Sequence, residues 1–260
     1  MTAPVDGGNE RDMAKVVIVT GGSRGIGAAT ARLAAARGYS VAVSYLGAAD
    51  AAGAVVRDIE AKGGRAIAVQ GDTADEADVE RLFATVDRDL GPLDALVNNA
   101  GIVGTMNRVE DVTLATLRRV MDVNVIGCFL CARAAVRRMS TNRGGRGGAI
   151  VNLSSAAATL GSPNEFVHYA ASKGAIDSFT IGLAREVARE GIRVNAVTPG
   201  LIETDIHAAG GDAGRLARLS PTVPMGRSGT AAEVAETILW LMSDAASYVT
   251  GANLRVSGGR

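Results

Sequence analysis

Seven short apolar runs, separated by longer stretches of helical periodicity, constrain this chain more than any other feature. The runs fall at 16–20, 41–45, 66–70, 95–98, 149–153, 192–197 and 252–256. They are continuous rather than alternating, which marks strands buried on both faces. Helical patterns lie between them at 26–37, 50–62, 75–90, 111–139, 169–190 and 231–243. Strand–helix alternation of this kind predicts an α/β fold with a seven-stranded parallel sheet and helices on both faces. Thr73 with Glu76, and Thr230 with Glu233, have the spacing of helix capping boxes. Residues 1–12 are polar and glycine-bearing, so a flexible segment is expected there and a single domain over 13–260.

Composition narrows the function classes. With 47% hydrophobic residues the 260-residue chain can bury a sizeable core. Its 27 Lys and Arg balance 27 Asp and Glu, giving no broad field to attract nucleic acid or an acidic membrane surface. No stretch approaches the roughly 20 apolar residues that span a membrane, and the N-terminus has no apolar run like a signal peptide. A cytoplasmic location is the expectation. Cys128 and Cys131 are too few for a disulfide framework or a four-cysteine zinc site, and read as small core residues. The RGGRGG stretch at 143–148 lacks aromatic interleaving and reads as a solvated turn rather than an RNA-binding tract.

The segment TGGSRGIG at 20–27 joins the first strand to the first helix. Gly21, Gly25 and Gly27 let the backbone turn tightly and approach a pyrophosphate, while Ser23, Arg24 and Ile26 lie in the same loop. The helix start beyond presents free N–H groups and a positive dipole end to that anion. At the head of a strand–helix–strand unit, this predicts a Rossmann fold that binds a dinucleotide. The second strand ends in Ser44 and Tyr45, with no carboxylate before Asp50 in the next helix. An acid at that end would bind a ribose 2′-hydroxyl and repel a 2′-phosphate, and Arg24 offers a cation to pair with one. NADP is favoured, with NAD as the alternative.

Tyr169 and Lys173 stand at i and i+4 on one face of a predicted helix. A free tyrosine, with a pKa of about 10, is a poor proton shuttle near neutrality. A nearby ammonium favours the phenolate and lowers that value. A tyrosine so tuned can protonate a carbonyl oxygen as hydride reaches the carbon, or do the reverse.

The chain resembles the short-chain dehydrogenases/reductases from about Lys15 onward. The matching elements, in order, are the 20–27 loop, Asp72, the run Asn98, Asn99, Ala100 and Gly101, then Asn124, Ser155, Tyr169 with Lys173, and Pro199 with Gly200. The resemblance implies that Tyr169 is the general acid/base and that Lys173 lowers its pKa and holds the nicotinamide ribose. It further implies that Ser155 hydrogen-bonds the substrate oxygen and that Asn124 holds a water in a proton relay. Asp72 and Thr73 would lie by the adenine, and Asn98, Ala100 and Gly101 would line the cofactor cleft. Pro199, Gly200, Ile202 and Thr204 would meet the nicotinamide. A homotetramer built through the two long helices and the C-terminal segment is implied as well.

Two departures stand out. The family's serine usually lies thirteen residues before the tyrosine, which here is Ala156. Ser155 lies fourteen before, so one residue is inserted in the 160–166 loop; Ser154 is the competing assignment. Leu46 stands where many NADP-dependent members carry a basic residue. His168 is read as lining the pocket or packing a loop, and His207 falls in a candidate lid over 203–221, whose glycines would allow movement. Asn195 reads as a backbone-bonding residue, and Trp240 and Met242 as core or subunit contact.

The leading expectation is an NADP(H)-dependent oxidoreductase interconverting a small secondary alcohol and its ketone. A 3-oxoacyl-thioester reductase, a sugar dehydrogenase and a general carbonyl reductase all fit. A non-catalytic nucleotide-binding regulator should lack part of the Asn–Ser–Tyr–Lys set, and a sugar-nucleotide epimerase should have more chain beyond Pro199.

Overall fold

The computed structural model describes residues 14–206, 210–212 and 214–260. The segment expected to be flexible, 1–12, lies outside them, as does His207. All seven anticipated strands form: β1 (Val16–Val19), β2 (Ser40–Tyr45), β3 (Ala66–Gln70), β4 (Leu93–Asn98), β5 (Gly148–Leu153), β6 (Ile192–Pro199) and β7 (Asn253–Val256). They make one sheet in the order β3-β2-β1-β4-β5-β6-β7, and every pairing is parallel. The chain moves outward from β1 to β3, then returns to start β4 on the other side of β1. That reversal opens a crevice at the carboxyl ends of β1 and β4, where open α/β sheets bind ligands.

The helices divide between the two faces. On one side lie α1 (Gly25–Ala36) and α2 (Ala49–Glu60), joined by the last long helix, Ala231–Met242. Side chains from this layer, such as Ala31, Val55 and Ile238, pack with Val17 and Val19 of β1. On the other side, α3 (Glu76–Asp89), α5 (Gly127–Met139) and α7 (Val167–Val187) pack with Val16 and Ile18. Successive β1 residues therefore serve opposite cores, which is why the apolar runs are continuous. Each such valine or isoleucine, fully buried, contributes about 1.5–3 kcal/mol.

Several local expectations are corrected. The span 111–139 is broken: α4 (Leu114–Met121) passes through a π-helical turn, Asp122–Ile126, into α5. Thr73 and Glu76 do not form a capping box. Asp75 is the N-cap of α3, and its carboxylate accepts from the Asp78 N–H at 2.9 Å; Thr73 is instead buried, close against Gly127. The Thr230–Glu233 box forms as expected. α7 starts two residues before Tyr169, and a 3-10 turn, Ala188–Glu190, follows it. Two short helices were not anticipated, α6 (Ala157–Leu160) and α8 (Arg215–Leu219); the Ala231–Met242 helix is then α9.

Cys128 and Cys131 are unpaired and buried, and burial pushes the Cys128 thiol up to about 12. Asn195 bonds the backbone at Val249 and Ala252. Met242 is in the core, whereas Trp240 is partly exposed. Residues 143–147 turn between α5 and β5, which Gly148 starts, and Arg146 pairs with Asp94. Among the described residues no helix is long and apolar enough to cross a membrane.

Candidate active site

The glycine loop closes against the β4 end through backbone contacts that leave no room for side chains. Gly21 has φ +60°, and a Cβ there would lie 2.9 Å from Ala100 Cα. A Cβ on Gly27 would lie 2.6 Å from the Gly21 carbonyl oxygen. Asn99 ties the two segments together, donating from Nδ2 to the carbonyls of Thr20 (2.9 Å) and Gly21 (3.0 Å). The Ser44 hydroxyl accepts from the Gly21 N–H at 3.3 Å, so this residue braces the loop. α1 begins without a side-chain cap, and its first N–H groups remain available to an anion. Arg24, its N-cap, is exposed, and so is Leu46. This uncapped, side-chain-free cradle fits a pyrophosphate.

A cavity of about 500 Å³ opens beside the loop, between the carboxyl ends of the central strands and α7. Of the anticipated residues, Ile26, Gly101, Ser155, Tyr169, Lys173, Pro199, Gly200, Ile202 and Thr204 line it. Gly21, Ser23, Arg24, Gly25, Gly27, Ser44, Tyr45, Asp72, Thr73, Asn98, Ala100 and Asn124 do not. Two of these are committed elsewhere. Asp72 pairs with Arg119 at 2.8 Å, and Asn98, expected in the cleft, is buried with Nδ2 donating to Asn152 Oδ1 at 2.9 Å. The neighbouring Asn99 takes the place on the wall.

α7 carries the proposed reacting pair. Lys173 Nζ donates to the Leu153 carbonyl at 2.7 Å and lies 5.6 Å from the centre of the Tyr169 ring. Burial pulls the Lys173 ammonium down to about 8, countered by the charges of Cys128 and Asp177. Because the Cys128 thiol is neutral well above that pH, Asp177 is the effective counter-charge. The Tyr169 phenol is shifted opposite to the sequence expectation. Burial raises it, and interaction with the Ser155 hydroxyl offsets part of the rise. Lys173, with a pKa of about 8, has lost its charge by the pH at which such a phenol ionises.

Both serines border the cavity just beyond the end of β5, and they differ in their hydrogen-bond partners. Ser155 lines the cavity, and its Oγ accepts from the Ala157 N–H at 3.1 Å. Ser154 is buried, donates to the Lys173 carbonyl at 3.3 Å and lowers the Asp177 carboxyl, which burial raises. Asn124 sits in the π-helical turn. Its Oδ1 accepts from Ile102 N–H at 2.8 Å, and Nδ2 donates to the Ile102 carbonyl and to Ser172 Oγ, each at 2.9 Å. These bonds fix the loop after Gly101. His168 is buried with Nε2 3.0 Å from the Val103 carbonyl and is not on the cavity wall, which favours loop packing.

Sequence reasoning missed the substrate side of the cavity: Val103, Glu165, Phe166, Ile206, Arg215 and Arg260. Two signals bore on that end: the extra residue inferred in the 160–166 loop, and the candidate lid over 203–221, which contains Ile206 and Arg215.

Comparison with known proteins agrees with this geometry. A family model described as enoyl-(acyl carrier protein) reductase matches residues 21–260. The chain is 54% identical over 245 residues to the Escherichia coli protein called uncharacterized oxidoreductase YgfF, covering 94% of this chain and 99% of that one. It is 39% identical over 252 residues to the 3-oxoacyl-[acyl-carrier-protein] reductase FabG of Staphylococcus aureus, covering 95% and 98%. A solved structure of a blue fluorescent protein from a metagenomic library, in complex with NADPH, superposes with a TM-score of 0.86 at 39% identity, covering 95% and 98%.

Proposed function

The chain belongs to the short-chain dehydrogenase/reductase family of oxidoreductases, and from that premise we propose that it interconverts a small secondary alcohol and its ketone with NADP(H). The observation that carries this reading is the placement of Tyr169, Ser155 and Lys173 together on one cavity wall, beside the glycine cradle. Residues 13–260 act as one dinucleotide-binding and catalytic domain.

NADP(H), when bound, supplies or accepts the hydride. Gly21, Ser23, Gly25, Ile26 and Gly27 would hold its pyrophosphate, and Arg24 the 2′-phosphate, with Ser44 and Tyr45 closing that end. Asp72 and Thr73 would flank the adenine, and Asn99, Ala100 and Gly101 would form the cleft floor, with Asn98 bracing it from behind through Asn152. Pro199, Gly200, Ile202 and Thr204 would bound the nicotinamide end. Tyr169 exchanges a proton with the substrate oxygen, and Ser155 donates to that same oxygen as charge develops on it. Lys173 keeps a positive charge beneath the tyrosine, and Asn124 positions the backbone at Ile102 and any water reaching Lys173. The relative solved in complex with NADPH supports the nicotinamide assignment.

The protein acts in the cytoplasm as a homotetramer on this reading. Support for self-association comes from apolar side chains left exposed on α4, α5 and α7, among them Leu114, Phe129 and Ile181. The test follows loss of reduced-nicotinamide absorbance with NADPH or NADH and a panel of ketones, aldehydes and acyl thioesters. Turnover of ketones with a lower KM for NADPH is expected. Absence of turnover across the panel overturns the reading, and a lower KM for NADH transfers it to NAD.

A further inference from the structure

Three successive turns of α7 carry Tyr169, Lys173 and Asp177, each four residues from the last, a spacing that brings neighbouring side chains together on one face. The first two line the cavity and the third does not. Lys173 is buried, with Nζ donating to the Leu153 carbonyl. An ammonium so placed has lost most of its water and keeps its charge only where a counter-charge is near. Two acidic groups act on it, the Cys128 thiol from α5 and the Asp177 carboxyl. Burial pushes that thiol up to about 12 and so keeps it neutral, and burial raises the Tyr169 phenol as well. The negative charge that supports Lys173 therefore comes from Asp177.

Local packing gives no reason for an acid at this position. The Asp177 side chain is half-buried, and its Oδ1 is buried without a hydrogen-bond partner among the described residues, a costly arrangement for a carboxylate. Burial raises the carboxyl accordingly, and three groups pull it back: the Ser154 hydroxyl, then Lys173, then Arg255 of β7. Ser154 also donates to the Lys173 carbonyl at 3.3 Å. One hydroxyl just beyond β5 thus ties the lysine's turn of helix to the acid. Arg255 is exposed and donates to Thr159 Oγ1 at 2.7 Å, which leaves Lys173 as the buried cation that the carboxylate serves.

We propose that Asp177 is a positioning residue of the reaction: from the next turn of α7 it holds Lys173 in its charged state, so that a cation faces the Tyr169 ring as the phenol gives up its proton. Ser154 keeps the carboxylate ionised for that task. Asp177 lies off the cavity wall and acts through the lysine alone. The proposal rests on the oxidoreductase reading for the role of the Tyr169–Lys173 pair, but the coupling of Asp177 to Lys173 is measurable without turnover.

The test is a magnetic-resonance titration of the full chain with lysine carbon-13-labelled at Cε. The chain holds three lysines, and Lys15 and Lys62 are exposed, so Lys173→Met identifies the signal of Lys173. Its midpoint is expected at about 8 in the wild type. It should lie about one unit lower in Asp177→Asn and close to the wild type in Asp177→Glu. Should the amide destabilise the protein, Asp177→Ala takes its place, since it leaves no polar group to bury. In turnover with saturating NADPH, Asp177→Asn should lose about 5-fold in kcat at about pH 8 and little at about pH 6, with KM for the ketone little changed. A midpoint that stays put without the carboxylate, or a loss of kcat equal at both pH values, overturns the proposal and reduces the acid to a packing role. A midpoint that falls while neither wild type nor variants turn over any ketone keeps the charge assignment and sinks only the redox reading.

Discussion

The Lys173 ammonium faces the ring of Tyr169, 5.6 Å from its centre, while its hydrogen bond goes to the Leu153 carbonyl. The lysine is therefore held on the backbone of β5, and the phenol keeps its proton more firmly than a free tyrosine does. Burial raises the phenol and lowers the ammonium, and the cost of the lysine's buried charge is measurable.

Lys173 should weaken the fold at neutral pH. Its folded pKa of about 8 lies below the ordinary lysine value of 10.5 because burial disfavours the charge. Between those values the unfolded chain binds more protons, so the lysine's contribution to stability rises as pH climbs from about 8 to 10.5. Relative to Lys173→Met, the wild type should gain about 2 to 4 kcal/mol across that window. Urea denaturation of both proteins at pH 7 and near pH 10 measures it; a constant difference contradicts the buried charge.

Ser155→Ala should lower kcat by about 100-fold, the usual cost of losing a donor to developing charge. Ser154→Ala should lower it far less, because that hydroxyl serves the Lys173 carbonyl and Asp177. Steady-state kinetics of the two variants decide between them. The reverse ranking would move the substrate contact to Ser154.

A methyl group at Gly27 has nowhere to go. Gly27→Ala would set it 2.6 Å from the Gly21 carbonyl and 2.5 Å from Asn99 Nδ2. The loop must shift, at a cost of about 1–3 kcal/mol, and with it the cradle for the pyrophosphate. Thermal unfolding and NADPH titration should show a lower midpoint and weaker binding together. Unchanged binding would detach the loop from the cofactor.

Arg24→Ala should raise KM for NADPH by about 10-fold or more, as losing a charge-assisted contact to phosphate does. KM for NADH should change little. The arginine is exposed and leads into α1, so its removal leaves the fold intact. Equal changes for the two nucleotides would end the 2′-phosphate role.

Most of the sheet was legible because both faces of each central strand are buried, and the apolar runs of β1, β2 and β4 admit no helix of ordinary length. Tyr169 and Lys173 were legible as a helical i, i+4 pair, and the glycine loop by its place after β1. What escaped depends on distant contacts. Asp75 displaces Thr73 as the α3 cap because Thr73 is buried beside Gly127, a residue more than fifty positions away. The π-helical turn holds Asn124, whose side chain bonds the backbone at Ile102, 22 positions away. Arg215 and Glu165 meet only when α8 folds over the loop before α7, and no local pattern announces that. The pKa of Tyr169 was misjudged because spacing gives proximity to Lys173 but not the burial of both groups, which raises the phenol and lowers the ammonium.

The central claim is that the Tyr169 phenol moves the proton. The most direct measurement is the rate of NADPH oxidation by Tyr169→Phe with a ketone the wild type reduces, checked for unchanged unfolding and NADPH binding. Loss of the hydroxyl should cut kcat by about 100-fold or more while NADPH still binds. A variant that binds NADPH and turns over at the wild-type rate would contradict the account.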